Sequence, residues 1–540
     1  MFFRKIISRS GGKEYAYLKL IENYREGSKV KQRVIANLGN MENLTPEKVE
    51  NLIEGLARVC GVPRRPARVE ARRILRYGEV LALHHLWRIL DIPGALDSIT
   101  GGEKGDGELS LLLELMTINQ VIKPPNKQAV TDWCRCLYLP ELEGKELLEQ
   151  HFYRALERAA EIKDALAVAV FHRLSALIPV DTGITYAWQV NAVLEAAPAG
   201  PSNLSFYSRY LLEEPAVEKN VQFLLLVSGN GMPLDHYLLP EVAGEGFWRT
   251  VTNRLHEGYG AQKVIFAGER RVPTNPYLEV PVALGLPYLI RRPVEEIWNG
   301  RVDQGEPGPA AGFVQVDPDL WLKEMGADGI RRLICYSPQA AREKISSFRE
   351  HLSALERQLQ ELQRKGGVSA EAPVLRDDLC REFFHWHVDR STGEFRYRRR
   401  EDRIAREEKC AGMLVLETNV PEVGGGELVR AYLDMKLLDR GCREIRSFEH
   451  RPKQYYQELN LTGNLLVCVL AVMLERVMER LLAGAGLPLT ARQALALLEE
   501  VQVAINRVEG VEMKSVTPLQ KIHQEILRVL GINDLQREIG

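Results

Sequence analysis

The chain has 540 residues, room for three or four domains at about 150 residues each; 45% are hydrophobic and 27% charged, as in ordinary globular proteins. A formal net charge of −2 gives no overall basic excess for nucleic acid, and the longest apolar run, Leu465–Leu474, is half a membrane span, so no membrane partner is expected. Eight scattered cysteines match neither a zinc-ligand spacing nor a disulfide framework, and the N-terminus lacks a signal-peptide core with a cleavage site; a cytoplasmic location is expected.

Taken in chain order, residues 2–37 hold three strand-like segments, FFRKII, EYAYLKLIENY and KVKQRVIANL, rich in β-branched and aromatic residues and separated by glycine turns. Thr45 as N-cap and Pro46 at the first helical position open a helix that stops before Pro63. Residues 78–175 repeat apolar side chains every three or four positions, as helices do. From about residue 176 the segments LSALIPVDTGITYAW, VQFLLLVSG, DHYLLPEV and KVIFAGE read as buried strands, with a helix at FWRTVTNRLHEG. Strand–strand–strand–helix–strand is the order in which a ribonuclease-H-like core starts. Over 339–365, Ile345, Phe348, Leu352, Leu355, Leu359 and Leu362 form a heptad seam, which suits a helix packed on its own domain as well as a homodimeric coiled coil. Residues 380–420 return to strand character, and 427–447, 455–483, 490–505 and 517–530 are expected to be helical.

The expected fold is thus α/β and multi-domain. Residues 1–62 form a β-rich DNA-binding unit, 63–175 a helical domain and 176–300 the first part of a core. An insertion follows at 301–425, then the rest of the core at 426–485 and a helical tail at 486–540.

Charge is unevenly spread. Residues 1–40 carry nine Lys/Arg against three Glu, residues 64–76 carry six Arg against one Glu, and Arg396, Arg398, Arg399, Arg400 and Arg403 surround Phe395 and Tyr397. One such cluster is as well explained by a solvated surface. Three in a near-neutral chain favour phosphate contacts, with Arg64, Arg65, Arg398 and Arg399 as candidates.

Common catalytic signatures are missing: there is no GxxxxGK[ST] loop, HExxH, GxSxG or paired CxxC. Gly229-Asn230-Gly231 and Gly244-Glu245-Gly246 lack the third glycine of a dinucleotide fingerprint and read as turns. His385 and His387 share one strand face but lack a third metal ligand. Asp181, in PVDTGITY, sits at the C-terminal end of an apolar strand; such a carboxylate either caps the turn with Thr182 or serves a metal.

Several stretches together resemble the transposases of the fourth insertion-sequence family, in the subgroup with long terminal extensions. They include RVIANLGNMENLTPEKVENL, INQVIKPPNKQAVTDW, YRALERAAEIKDALAVAVFHRL, QFLLLVSGNGMPLDHYLLP, LETN, RPKQYY and TPLQKIHQEILRVLGI. No one piece is specific; their order and spacing are.

The resemblance implies a DDE triad on a ribonuclease-H-like core, holding two divalent ions, Mg²⁺ or Mn²⁺, for in-line phosphoryl displacement on double-stranded DNA at terminal inverted repeats. The first aspartate falls on Asp181. The second falls on Gly268, with Glu269 next to it; a slip of one residue turns a side chain to the opposite face, so loss is expected over rescue by Glu269. The third position, a glutamate in the family, holds Asp439, on a helix where Tyr432, Arg443 and Arg446 also fit and where the two arginines would hold DNA phosphates. Taken alone, this helix is an ordinary amphipathic one with i,i+3 and i,i+4 charge pairs. Ala411-Gly412 replaces an expected aspartate-glycine, and Asn464 an expected histidine.

Three readings follow. The chain is a transposase with degraded catalytic positions, a catalytically inactive DNA-binding descendant of one, or a helical protein that dimerises through the heptad.

Overall fold

The structure, a computed structural model, describes residues 1–10, 13–27, 29–41, 44–61, 69–102, 106–122, 130–195, 219–240, 243–269, 276–294, 312–327, 329–365, 372–389, 394–446, 458–508, 511–533 and 535. The chain divides into two compact units, Met1–Arg72 with Ile505–Met513, and Arg73–Ala504 with Lys514–Gly540.

In the first unit, β1 (Phe2–Ser10), β2 (Lys13–Glu26) and β3 (Lys29–Asn40) form an antiparallel sheet in that order. The strand-rich opening is as the sequence predicts. Ile21 is buried, whereas Arg4, Lys5, Lys31 and Arg33 are exposed. Helix α1 (Pro46–Val59) starts where its capping residues place it, with Thr45 Oγ1 accepting the Lys48 amide at 3.4 Å. Strand β4 (Val69–Arg76) begins at the end of this unit and continues past Arg72 into the second.

In the second unit, α2 (Gly78–Ile89), α3 (Ile92–Thr100), α4 (Asp106–Ile122), α5 (Val130–Cys134) and α6 (Glu149–Leu177) occupy the stretch of helical periodicity. Next come β5 (Ile184–Glu195), β6 (Lys219–Ser228), β7 (Pro233–Leu238), α7 (Glu245–Tyr259), β8 (Lys263–Glu269), α8 (Pro276–Ala283) and β9 (Tyr288–Arg292). Strands β10 (Val314–Asp317), β11 (Leu320–Ala327) and β12 (Ile330–Tyr336) lead into the long helix α9 (Pro338–Lys365). A hairpin of β13 (Phe384–Val388) and β14 (Phe395–Arg399) precedes α10 (Glu401–Cys410), β15 (Met413–Thr418), α11 (Gly425–Cys442) and β16 (Glu444–Arg446). The chain continues through α12 (Glu458–Gly484), α13 (Ala491–Leu498), β17 (Gln502–Val508), β18 (Val511–Val516) and α14 (Lys521–Val529). Strands β18, β17 and β4 make a three-stranded sheet in that order.

The main sheet has the order β10-β11-β12-β15-β9-β8-β5-β6-β7, with β16 paired to β5. Strand β6 is antiparallel to β5 and β7, while β8 returns parallel to β5 and β9 parallel to β8. Alternate residues face opposite sides, and both sides are apolar because helices cover both. Tyr186, Trp188, Val190, Ile265 and Ala267 pack against Tyr432, Met435 and Leu438 of α11 and Leu465 and Val469 of α12. Ala187, Val264 and Phe266 pack against Trp248, Val251, Leu255 and Tyr259 of α7. Helix α12 approaches α6 so closely that a Cβ at Gly463 would lie 2.4 Å from the Leu156 carbonyl oxygen. Residues 465–474 are each at most 4% exposed, and among the described residues no helix is long and apolar enough to cross a membrane.

Three expectations change. Helix α6 runs to Leu177 and β5 begins only at Ile184, so Asp181 lies in the link before a strand, not at the end of one. Pro179 lacks the amide that would extend the helix. Residues 401–410, within the stretch expected as strand, are helical, and the stretch expected to be helical up to residue 505 gives way to a strand at Gln502–Val508. Of the two readings left open for the heptad seam, packing on its own domain is the one seen: Leu352, Leu355 and Leu359 are buried against Leu375, Phe383, Phe384 and Phe395.

Candidate functional site

The end of β8 and one face of α11 bring together the charged residues of interest, and β15 and β12 set that geometry. Thr418 Oγ1 donates to the Tyr288 carbonyl oxygen at 2.6 Å, and Asn419 accepts the Tyr288 amide at 2.9 Å and donates to the Leu286 carbonyl oxygen at 3.0 Å. The LETN stretch thus ties β15 to β9, the strand beside β8. Before β15, Gly412 has φ +73 and its Cβ would stand 2.5 Å from the Ser337 carbonyl oxygen, so only glycine fits. Arg331 of β12 donates to the carbonyl oxygens of Val420 and Val423 at 2.6 and 2.7 Å, which pins the entry to α11.

Glu269 and Asp439 meet on this face. Lys436 Nζ lies 2.5 Å from Glu269 Oε1 and 3.7 Å from Asp439 Oδ2. Arg291, opposite Glu269 on β9, donates to Glu269 Oε1 at 3.2 Å. Arg443 grips Asp439 Oδ2 through Nε at 3.0 Å and Nη2 at 2.7 Å. The Tyr432 hydroxyl donates to Glu269 Oε1 at 3.4 Å, and its ring meets Trp188 edge-on at 5.2 Å. Burial pulls the Glu269 carboxyl upward, but the hydrogen bond and charge of Lys436, with Arg291 beside it, outweigh this and hold its pKa below the ordinary 4.5. Burial above all, with Glu269 next, pushes the Tyr432 hydroxyl far up, so it stays protonated as a donor.

Two placements correct the sequence reading. Glu269, not Gly268, faces α11. Alternation along β8 turns Gly268 to the other side, where a Cβ would lie 3.0 Å from Leu278 Cδ1 and 3.5 Å from Gln189 Cβ. Asp181 does not join Glu269 and Asp439. Gly183, two residues after Asp181, accepts the Lys263 amide at the start of β8, and Glu269 lies six residues further along that strand, roughly 20 Å away at strand rise. Asp181 and Glu427, at the start of α11, both act on the Tyr186 hydroxyl, whereas Asp439 sits about 18 Å further along that helix. The Asp181 carboxylate instead accepts the Gly183 amide at 3.0 Å, and its backbone is tied to Asn230 and Gly229. This is the turn-capping alternative.

Among the DNA-contact candidates, Arg64, Arg65 and the side chain of Arg446 lie outside the described residues. Arg398 is exposed on β14 opposite His385, and Arg399 pairs with Glu356 of α9. His385 and His387 share an exposed face as expected, but their cross-strand partners are Arg398 and Arg396, cations that disfavour a metal. Sequence reasoning missed Lys436, Arg291 and Trp188. The one signal for Lys436 was its i,i+3 spacing to Asp439.

The residues present do not fit a pair of divalent ions. Mg²⁺ demands oxygen ligands at about 2.1 Å, and the point between the two carboxylates is taken by the Lys436 ammonium. Among the described residues no group of three His, Cys, Asp or Glu could hold a metal. What the arrangement does offer is three cations against two carboxylates, with Arg291 and Arg443 half-exposed and able to meet a phosphate.

Comparison with the curated proteins gives no match to this chain. Residues 3–67, which include most of β1 and all of β2, β3 and α1, match the family model described as IS1634 family transposase, N-terminal domain, and this match supports an insertion-sequence transposase.

Proposed function

We propose that the protein is an insertion-sequence transposase of DDE, ribonuclease-H-like descent that binds double-stranded DNA at terminal inverted repeats. The observation that carries this is the meeting of Glu269, at the end of β8, with Asp439 on α11. These are the elements to which the resemblance assigns the second and third acidic positions. The order β5, β6, β7, α7, β8, with β8 returning parallel to β5, supports the core type. The N-terminal match and the exposed cations of β1 and β3 support DNA recognition.

The test is a fluorescence-anisotropy titration of the full-length protein against a duplex carrying the repeat that flanks its gene and against a shuffled duplex. Preference for the repeat by roughly 10³-fold, falling steeply with salt, is the expected result. Equal affinity for both duplexes counts against recognition of the ends, and binding to neither rejects the reading.

A further inference from the structure

We propose that Lys436 is a built-in counter-ion: its ammonium holds the position between Glu269 and Asp439 that a divalent cation would take, and the site works without metal. Lys436 follows Tyr432 by four residues and precedes Asp439 by three, so all three share the face of α11 turned toward the end of β8. Its Nζ is in contact with both carboxylates. Each carboxylate also has its own guanidinium, Arg291 for Glu269 and Arg443 for Asp439, so the anionic charge is met from both sides.

The β5 residue that meets Tyr432 is Trp188, whose indole N–H is a donor and offers a cation no lone pair. Lys436 is only 21% exposed and Glu269 16%, so a metal entering here would have to expel the ammonium from a partly desolvated pair. The low pKa of Glu269 agrees with a carboxylate that is already neutralised. Three cations against two carboxylates leave the site net positive. Resting on the DNA-binding reading above, the half-exposed parts of Arg291 and Arg443 would then contact a phosphodiester with no bridging ion.

The experiment is a Mn²⁺ titration of the full-length protein without DNA, followed by the paramagnetic resonance of free Mn²⁺, so its outcome is independent of whether the protein binds repeats. The wild type is expected to show no saturable site below about 1 mM. Lys436→Met, which keeps an unbranched stem and removes the charge, is expected to gain one site, lost again when Asp439→Asn is added. Uptake of Mn²⁺ by the wild type that Asp439→Asn abolishes would overturn the proposal. So would a Lys436→Met protein with native near-UV circular dichroism and no gained site. The wild-type titration decides the matter even if the variant does not fold.

Discussion

Gly268→Asp is expected to destabilise the protein by roughly 3 kcal/mol or more, the cost of an unpaired buried carboxylate, and to restore no acidic site. Gly268 is buried on the side of β8 that faces α8, on the same face as Val264 and Phe266. A new Cβ would press on Leu278 at 3.0 Å, in a small apolar layer with Tyr288 and Ile290. The added carboxylate would be one full side-chain alternation away from Lys436 and Arg291, the cations that satisfy Glu269. Urea unfolding monitored by tryptophan fluorescence measures the loss as a lower midpoint at unchanged slope. A variant as stable as the wild type would mean that β8 presents its other face to α11.

Lys163→Met is expected to cost about 3–5 kcal/mol near neutral pH, the typical penalty for removing one partner of a buried pair. Lys163 of α6 is 3.0 Å from Asp235 Oδ1 and 2.9 Å from Asp164 Oδ1, and its ammonium lies 4.2 Å from the centre of the Tyr237 ring. The Asp235 side chain is fully buried; it also accepts the Tyr259 hydroxyl at 3.1 Å and the His236 amide at 2.8 Å. Burial raises the Asp235 pKa above its ordinary 3.8 even with Lys163 alongside.

A carboxyl whose folded pKa is raised contributes stability at low pH and loses it as pH rises through the folded value. Without Lys163 the folded value rises further. The deficit of the variant is therefore largest near neutrality and shrinks as pH falls toward the protonation of Asp235. Parallel unfolding of both proteins near neutrality and at about pH 5 checks this. A deficit equal at both pH values would show that the loss is packing alone.

Local signals carried far in this chain. Thr45 and Pro46 announce α1 because capping chemistry is local, and the apolar run at 465–474 is the buried middle of α12. The seam of α9 was visible as a repeat, but what covers it comes from residues 375–395, beyond the reach of a periodicity argument. The phase of β8 was not legible. Whether Gly268 or Glu269 faces the site depends on where α11 packs, and α11 begins more than 150 residues later. Lys436 looked like half of a surface charge pair. Its decisive partner, Glu269, is 167 residues away in sequence. Asp181 sat in a pattern suited to a metal ligand, but the helix before it ends late and the strand after it starts late. That moves the carboxylate to the wrong end of β5.

Fixed cations, Lys436, Arg291 and Arg443, surround the acidic pair beside α11. The most direct test is the affinity of the full-length protein for the terminal-repeat duplex, measured at matched ionic strength with Mg²⁺ and with EDTA. The predicted result is the same affinity in both to within about twofold. A gain of about tenfold or more in Mg²⁺, worth 1.4 kcal/mol or more, that disappears in Asp439→Asn would contradict it.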